Sequence, residues 1–301
     1  MSQFAAYSDF STASKSVLAF LHARFGFKLW MVTRTEGDDW IVLDANDHGY
    51  GVAPGNVFSW ADSFCSRMVL GKGPCIAPAS QSIPAYVAAP IGQQVPIGAY
   101  IGIPLEDADG GLFGTLCAID PEPQFAITEN DLPLLRVTGR MLASILVAEL
   151  KLSAIERNKS FSALKELIDP ATKVLNANGW EQLVEAEENR CVKYGHPAQI
   201  FAIEMADNFD VSNITAAVER LKIFLPEDGA IARLAANEFL MIAPESSTSD
   251  GQQRLEAIRK HFRDAGIPMA IGVASRDPRL GMGPAIAAAR QMQQAEIEAR
   301  V

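Results

Sequence analysis

Basic residues are the first scarcity in this chain: Lys and Arg total 26 against 36 Asp and Glu, a formal net charge of -10 over 301 residues. A broad nucleic-acid or anionic-membrane surface needs concentrated cations, so neither is expected as a partner. The basic stretch from Arg254 to Arg263 is interleaved with acids and reads as a solvated helix face. Long apolar runs are missing too. None reaches the roughly 20 residues of a membrane-spanning helix. The N-terminus has no basic segment followed by an apolar core, so a cytoplasmic protein is expected. Cys65, Cys75, Cys117 and Cys191 form no Cys-x-x-Cys pair and sit mostly in apolar contexts, the pattern of buried free thiols rather than disulfides or a metal site. His22, His48, His196 and His261 are scattered, with no two at ligand spacing. Gly-x-Ser-x-Gly and His-Glu-x-x-His are absent, and Gly71-Lys72-Gly73 lacks the spacing of a phosphate-binding loop. No metal and no cofactor are expected.

What the chain has is apolar substance, 49% of its residues, and a length that suits two domains of about 150 residues each. Val17, Leu18, Leu21 and Phe25 recur at helical intervals and predict an opening helix over 12–25. Segments 28–33 and 40–44 read as a hairpin around Glu36-Gly37-Asp38-Asp39, and 59–69 as a helix. Residues 71–98, rich in Gly, Pro, Ala and Ser, predict irregular backbone over a pocket or sheet edge. Strand-like runs 100–105 and 112–119 flank a Gly-rich turn and predict a second hairpin in the centre of the sheet.

Tyr100-Ile-Gly-Ile-Pro-Leu105, Leu112-Phe-Gly-Thr-Leu-Cys-Ala-Ile-Asp120 and Phe125-x-x-Thr-Glu-x-Asp-Leu132 resemble the last strands and closing helix of a GAF domain, over about residues 10–150. The resemblance implies a six-stranded antiparallel sheet with helices on one face and a small-molecule cavity on the other. Phe58, Trp60, Cys65, Cys75, Tyr86, Tyr100 and Cys117 are the candidate lining, because aromatics and small polar atoms suit ligand pockets, although plain core is the competing reading. Cys65 or Cys75 is a candidate for a thiol linked to a chromophore.

Thr128-Glu-Asn-Asp131 is a capping-box variant that starts the closing helix, about 129–158. Along it Leu134, Thr138, Met141, Ile145, Ala148, Leu152 and Ile155 form a heptad seam until Lys159, while Leu135, Leu142 and Leu146 form a second stripe for packing on the sheet. The seam, with the opening helix, predicts a homodimer; a helix that only packs on its own sheet is the alternative.

Arg233-Leu-Ala-Ala-Asn-Glu-Phe239 and Asp169-Pro-Ala-Thr-Lys-Val-Leu-Asn176 carry a second resemblance, to the GGDEF signature and entry motif of diguanylate cyclases, over about residues 160–301. The resemblance implies a ferredoxin-type α/β sandwich and a bacterial cyclic di-GMP signalling setting. Its working residues are replaced. Ala235 and Ala236 stand where glycines let the backbone approach a nucleotide, Asn237 stands at a carboxylate, and only Glu238-Phe239 match. Aligning Asp207-Asn-Phe209 with the family's Asp-x-Phe puts Met205 at the lost metal position, with Glu204 on the opposite strand face. Lys173 stands where Gly is usual and Ala177 where Arg is usual, and Pro226-Glu-Asp-Gly229 replaces the Arg-x-x-Asp product-inhibition motif. Further along, 180–194 reads as a helix, 199–205 and 268–274 as strands, and 284–301 as the last helix.

The expectation is a two-domain α+β protein, residues 1–150 and 160–301, without diguanylate cyclase activity. A sensor for a small molecule in the GAF cavity would be coupled to a pseudo-cyclase domain that meets a protein partner in a signalling pathway. A nucleotide receptor for cyclic di-GMP, a cyclic mononucleotide or GTP is the alternative. A residual cyclase working through Glu204, Asp207 and Glu238 is the third reading.

Overall fold

In the computed structural model, which describes residues 6–107, 109–163, 166–206 and 211–299, the chain divides into units Met1–Leu152 and Ser153–Val301. Helix α1 (Phe10–Phe25) begins where the Asp9 carboxylate accepts the Thr12 N–H, and ends at Gly26, whose φ of +82° suits a residue without Cβ. Strands β1 (Leu29–Glu36) and β2 (Asp39–Asp47) form the expected hairpin, with β3 (Val57–Ser59) added to β2. The helix expected over 59–69 is shorter: Ser63 caps α2 (Phe64–Val69), and residues 57–59 are spent on β3. Segment 71–98, expected to be irregular, holds the two-residue β4 (Ile76–Ala77) and the single-turn helices α3 (Pro84–Val87) and α4 (Ile91–Gln94). Strands β5 (Ala99–Glu106) and β6 (Leu112–Asp120) complete a six-stranded antiparallel sheet in the order β3-β2-β1-β6-β5-β4. At its margin the Gly102 N–H donates to the Cys75 carbonyl, and the next outward-facing position on β5 is Pro104, which has no N–H.

Helix α5 (Leu132–Ala163) follows a 3-10 turn at Glu129–Asp131, where the Thr128 N–H donates to Asp131 at 3.0 Å, and it runs beyond residue 158. Leu135, Leu142 and Leu146 are buried. Gly139 sets the distance to β5, since a Cβ there would lie 3.0 Å from Ile103 and 3.4 Å from Leu105. Glu149 accepts the N–H of Phe10, the first residue of α1.

The second unit has a ferredoxin-type core. Strands β7 (Ala198–Met205), β8 (Ala230–Arg233), β9 (Glu238–Pro244) and β10 (Met269–Ser275) form an antiparallel sheet in the order β10-β7-β9-β8. Helices α7 (Val211–Lys222) and α8 (Thr248–Asp264) cover one face through Ile214, Leu221, Ile258 and Phe262. Helices α6 (Ala177–Tyr194) and α9 (Met282–Glu298) cover the other through Trp180, Leu183, Met282 and Ala289. Alternating strand residues divide between the two cores: Phe201, Ile203 and Met205 against Ile200 and Ala202. Gly272 is required where α9 crosses β10, because a Cβ there would meet the Ala289 carbonyl at 2.1 Å.

The end of α5 joins this unit through Arg157, which is 1% exposed. Its guanidinium meets Glu187 of α6 at 2.8 Å, Asp228 of the α7–β8 loop at 2.6 Å and Glu245 after β9 at 2.9 Å. Three carboxylates offset the cost of burying the cation, and Arg190 adds a second contact to Glu187 at 2.6 Å. Arg157→Met is expected to cost about 3–5 kcal/mol, towards the lower end because Arg190 still faces Glu187. Urea unfolding of the full chain, followed through the transition of the second unit, measures it.

Candidate functional site

The signature residues form a hairpin turn. Arg233 pairs with Phe239 across β8 and β9, and the Leu234 N–H closes on the Glu238 carbonyl at 2.9 Å. Among the described residues the non-glycines with left-handed backbone are Phe27, Lys173 and Glu245. Neither Ala235 nor Ala236 is one of them, so this turn is built without the φ that glycine permits. Arg233 holds it from inside: Nε donates to the carbonyls of Ala235 and Ala236, each at 3.2 Å, and Nη2 to Ala236 at 2.6 Å.

Asn237 ties the turn to the sheet. Its Nδ2 donates to the Met205 carbonyl at 3.1 Å, and the Met205 N–H donates to the Asn237 carbonyl at 3.0 Å. A carboxylate at this position has no proton with which to make the first bond. Met205 itself is 1% exposed and packs in the core under α7 and α8. Glu204 lies on the other face, where Gln293 of α9 donates to it at 2.6 Å, and Glu238 is exposed. Asp207 and Phe209 lie outside the described residues.

The entry motif is a second clasp on the same hairpin. Asp169 accepts the Thr172 N–H at 2.8 Å and its hydroxyl at 2.7 Å, and Arg233 Nη1 reaches it at 3.3 Å. Lys173, where the resembled family has glycine, keeps a left-handed φ of +56°. Asn176 caps α6 by accepting the Gly179 N–H at 2.9 Å, with Ala177 as the first helical residue. Asp228, within the segment that replaces the product-inhibition motif, is engaged with Arg157. Among the described residues no group of three or more His, Cys, Asp and Glu is placed to hold a metal ion.

In the first unit the seven candidate pocket residues come together in one cluster. Cys65, Tyr86, Tyr100 and Cys117 are buried, with Phe58, Trp60 and Cys75 packed at its border. Phe64 and Tyr86 stack with centroids 4.7 Å apart, while Tyr86 and Tyr100 at 5.0 Å and Trp40 and Trp60 at 6.4 Å meet edge-on, and Trp40 and Phe58 are tilted at 6.0 Å. Cys75 also borders an open cleft of about 940 Å³ beside α5, with Ile103, Arg136, Gly139, Arg140 and Lys151. Sequence reasoning missed the polar thread through this core. Trp40 Nε1 donates to Thr33 Oγ1, Thr33 and Thr115 hydroxyls meet at 2.9 Å, and both threonines are fully buried. Two threonines set among apolar strand neighbours were the available signal. The Arg157 cluster was missed as well, although Glu187 lies between Leu183 and Cys191 on the apolar face of α6.

On α5 the heptad residues face outward. Leu134, Met141, Leu152 and Ile155 are 42%, 63%, 59% and 51% exposed. Ala148 is exposed, and Thr138 and Ile145 are half-buried. No helix among the described residues is long and apolar enough to cross a membrane.

Comparison with known proteins places a GAF domain at residues 9–146, which match that family's model. A cyclic di-GMP phosphodiesterase of Pseudomonas aeruginosa is 37% identical over 82 residues, 27% of this chain and 14% of that protein. This chain thus covers a small part of the curated relative it matches. Among solved structures, the GGDEF domain of DgcB from Caulobacter crescentus in complex with c-di-GMP aligns with 44% of this chain and 91% of its own, at 17% identity and a TM-score of 0.40. The FimX GGDEF domain from Pseudomonas aeruginosa aligns with 44% and 94%, at 16% identity and a TM-score of 0.41.

Asp169 titrates below its ordinary value: burial pushes it up, but hydrogen bonds from Thr172 and Arg233 outweigh that. A depressed carboxyl gives stability that is complete above its unfolded pKa and lost as pH falls through the folded one. Between the entry motif and β8 the Leu175 N–H donates to the Ile231 carbonyl at 3.1 Å, and the Leu175 carbonyl accepts from the Arg233 N–H at 2.8 Å, so Leu175 and Arg233 both report on the clasp. Hydrogen exchange corrected for intrinsic rates should therefore show protection of their amides falling below about pH 4. Asp169→Asn is expected to flatten that dependence.

Proposed function

We propose, with residues 9–146 as its GAF domain, that this chain is a non-catalytic signalling protein. The GAF unit takes up a small molecule, and the second unit is a degenerate GGDEF-like domain that acts by contact with a protein partner in cyclic di-GMP signalling. One observation carries the loss of catalysis: the Asn237 amide is bonded to the Met205 carbonyl at the place where a cyclase needs carboxylates for its cations. Arg233 adds to it, since its donors are turned inward onto the turn's own carbonyls. The signalling setting draws support from the phosphodiesterase named above, and its small coverage leaves activity and partner as part of the proposal.

Incubation with GTP and Mg²⁺ or Mn²⁺ is expected to yield no cyclic di-GMP above a Glu238→Ala control. Product above that control would overturn the reading. Heat on titration with cyclic di-GMP, cyclic AMP, cyclic GMP or GTP at low micromolar concentration would move it to a nucleotide receptor.

The outward stripe of α5 supports a homodimer. Leu134, Met141, Leu152 and Ile155, spaced by 7, 11 and 3 residues, are exposed along one heptad seam of the helix. Phe20 of α1, 53% exposed, offers a second apolar contact. Light scattering after gel filtration should give twice the chain mass for the wild type and the single chain mass for Met141→Glu with Leu152→Glu. A wild-type monomer at tens of micromolar would remove the dimer.

A further inference from the structure

The four thiols of the chain are not equivalent core residues. Cys191, in the second unit, has its thiol pushed up to about 12 by burial. Cys75 lies half-exposed beside the cleft. Cys65 and Cys117 instead flank one hydroxyl, that of Thr115. The Tyr100 hydroxyl donates to Cys65 Sγ at 3.3 Å and the Thr115 hydroxyl at 3.5 Å, while Thr115 Oγ1 is also 3.7 Å from Cys117 Sγ. Behind Thr115 stands the thread from Trp40 through Thr33, which orients the threonine hydroxyls. Two hydroxyls aimed at one sulfur favour its anion, which is the nucleophilic form.

We propose that Cys65 and Cys117 form an oxidisable dithiol, with Cys65 as the site of attack on hydrogen peroxide or a small organic hydroperoxide and Cys117 as the resolving thiol. In the first step the Cys65 thiolate attacks the distal peroxide oxygen. An S–O bond forms, the O–O bond breaks, and the departing oxide takes the proton that left Cys65, giving a sulfenic acid and water or an alcohol. In the second step the Cys117 sulfur attacks the Cys65 sulfur. An S–S bond forms, the S–O bond breaks, and the hydroxide leaves as water with the Cys117 proton. Two thiols are oxidised by two electrons and one peroxide is reduced.

The environment favours that order. Burial holds Cys65 up, yet its neighbours Cys117, Thr115 and Tyr100 bring it below an ordinary thiol. Cys117 is held well above, first by burial and then by its interaction with Cys65. Once Cys65 is a neutral sulfenic acid, its share of that barrier is gone. The product ties α2 to β6 across the aromatic cluster.

The test is graded peroxide treatment of the native full chain, followed by alkylation in denaturant and peptide mapping. The expected result is the loss of two alkylatable thiols and a linked peptide joining Cys65 to Cys117, reversed by dithiothreitol. Cys117→Ser should let dimedone label Cys65, and Cys65→Ser should leave Cys117 reduced. Cys75 is the internal control, being the more exposed thiol. Full alkylation of Cys65 and Cys117 at a dose that has oxidised Cys75 overturns the proposal, as does unchanged oxidation of Cys117 in Cys65→Ser. The wild-type map decides even if a variant fails to fold.

Discussion

One buried cation organises one end of the second unit. The Arg157 guanidinium draws three carboxylates from three separate segments onto the last turns of α5. A guanidinium does this better than an ammonium, because its planar fork addresses several acceptors in fixed directions and stays charged when buried. Glu245 takes a left-handed backbone with φ of +52° in making its contact. A non-glycine residue accepts that conformation only where surrounding contacts compensate it. The α7–β8 loop, the turn after β9 and the apolar face of α6 are therefore held by a shared electrostatic centre rather than by packing alone.

The signature hairpin at β8 and β9 follows a similar logic on a smaller scale. Arg233 turns its donors onto the turn it precedes, Asn237 bonds the strand beside it, and Asp169 receives both Arg233 and Thr172. Each side chain satisfies backbone groups that would otherwise face solvent or a ligand. A turn whose polar atoms are so engaged is a structural corner. It is a poor starting point for gripping a triphosphate.

Much of the architecture is legible in the residues themselves. Near-continuous apolar runs mark β5 and β6, the capping box marks the start of the long helix, and the two apolar stripes separate the sheet-facing side of α5 from its outer side. Short elements escape because they rest on tertiary pairing: β3 and β4 have three and two residues, too few for a pattern. The Arg157 centre escapes for another reason. Its members lie 30, 71 and 88 positions away in sequence, so only the folded chain brings them together. The candidate pocket residues lie in one aromatic core cluster, but composition could not reveal that Cys65 accepts two hydroxyl hydrogen bonds whereas Cys75 meets a cleft.

Pro104 has a further effect at the margin of the first sheet. With no amide hydrogen to offer outward, and with only two residues of β4 beside it, this border cannot template an incoming strand. The opposite border, β3, is only three residues long. Sheet-to-sheet growth between copies is thereby discouraged at both rims, which leaves helical surfaces as the route by which this unit can meet its own kind.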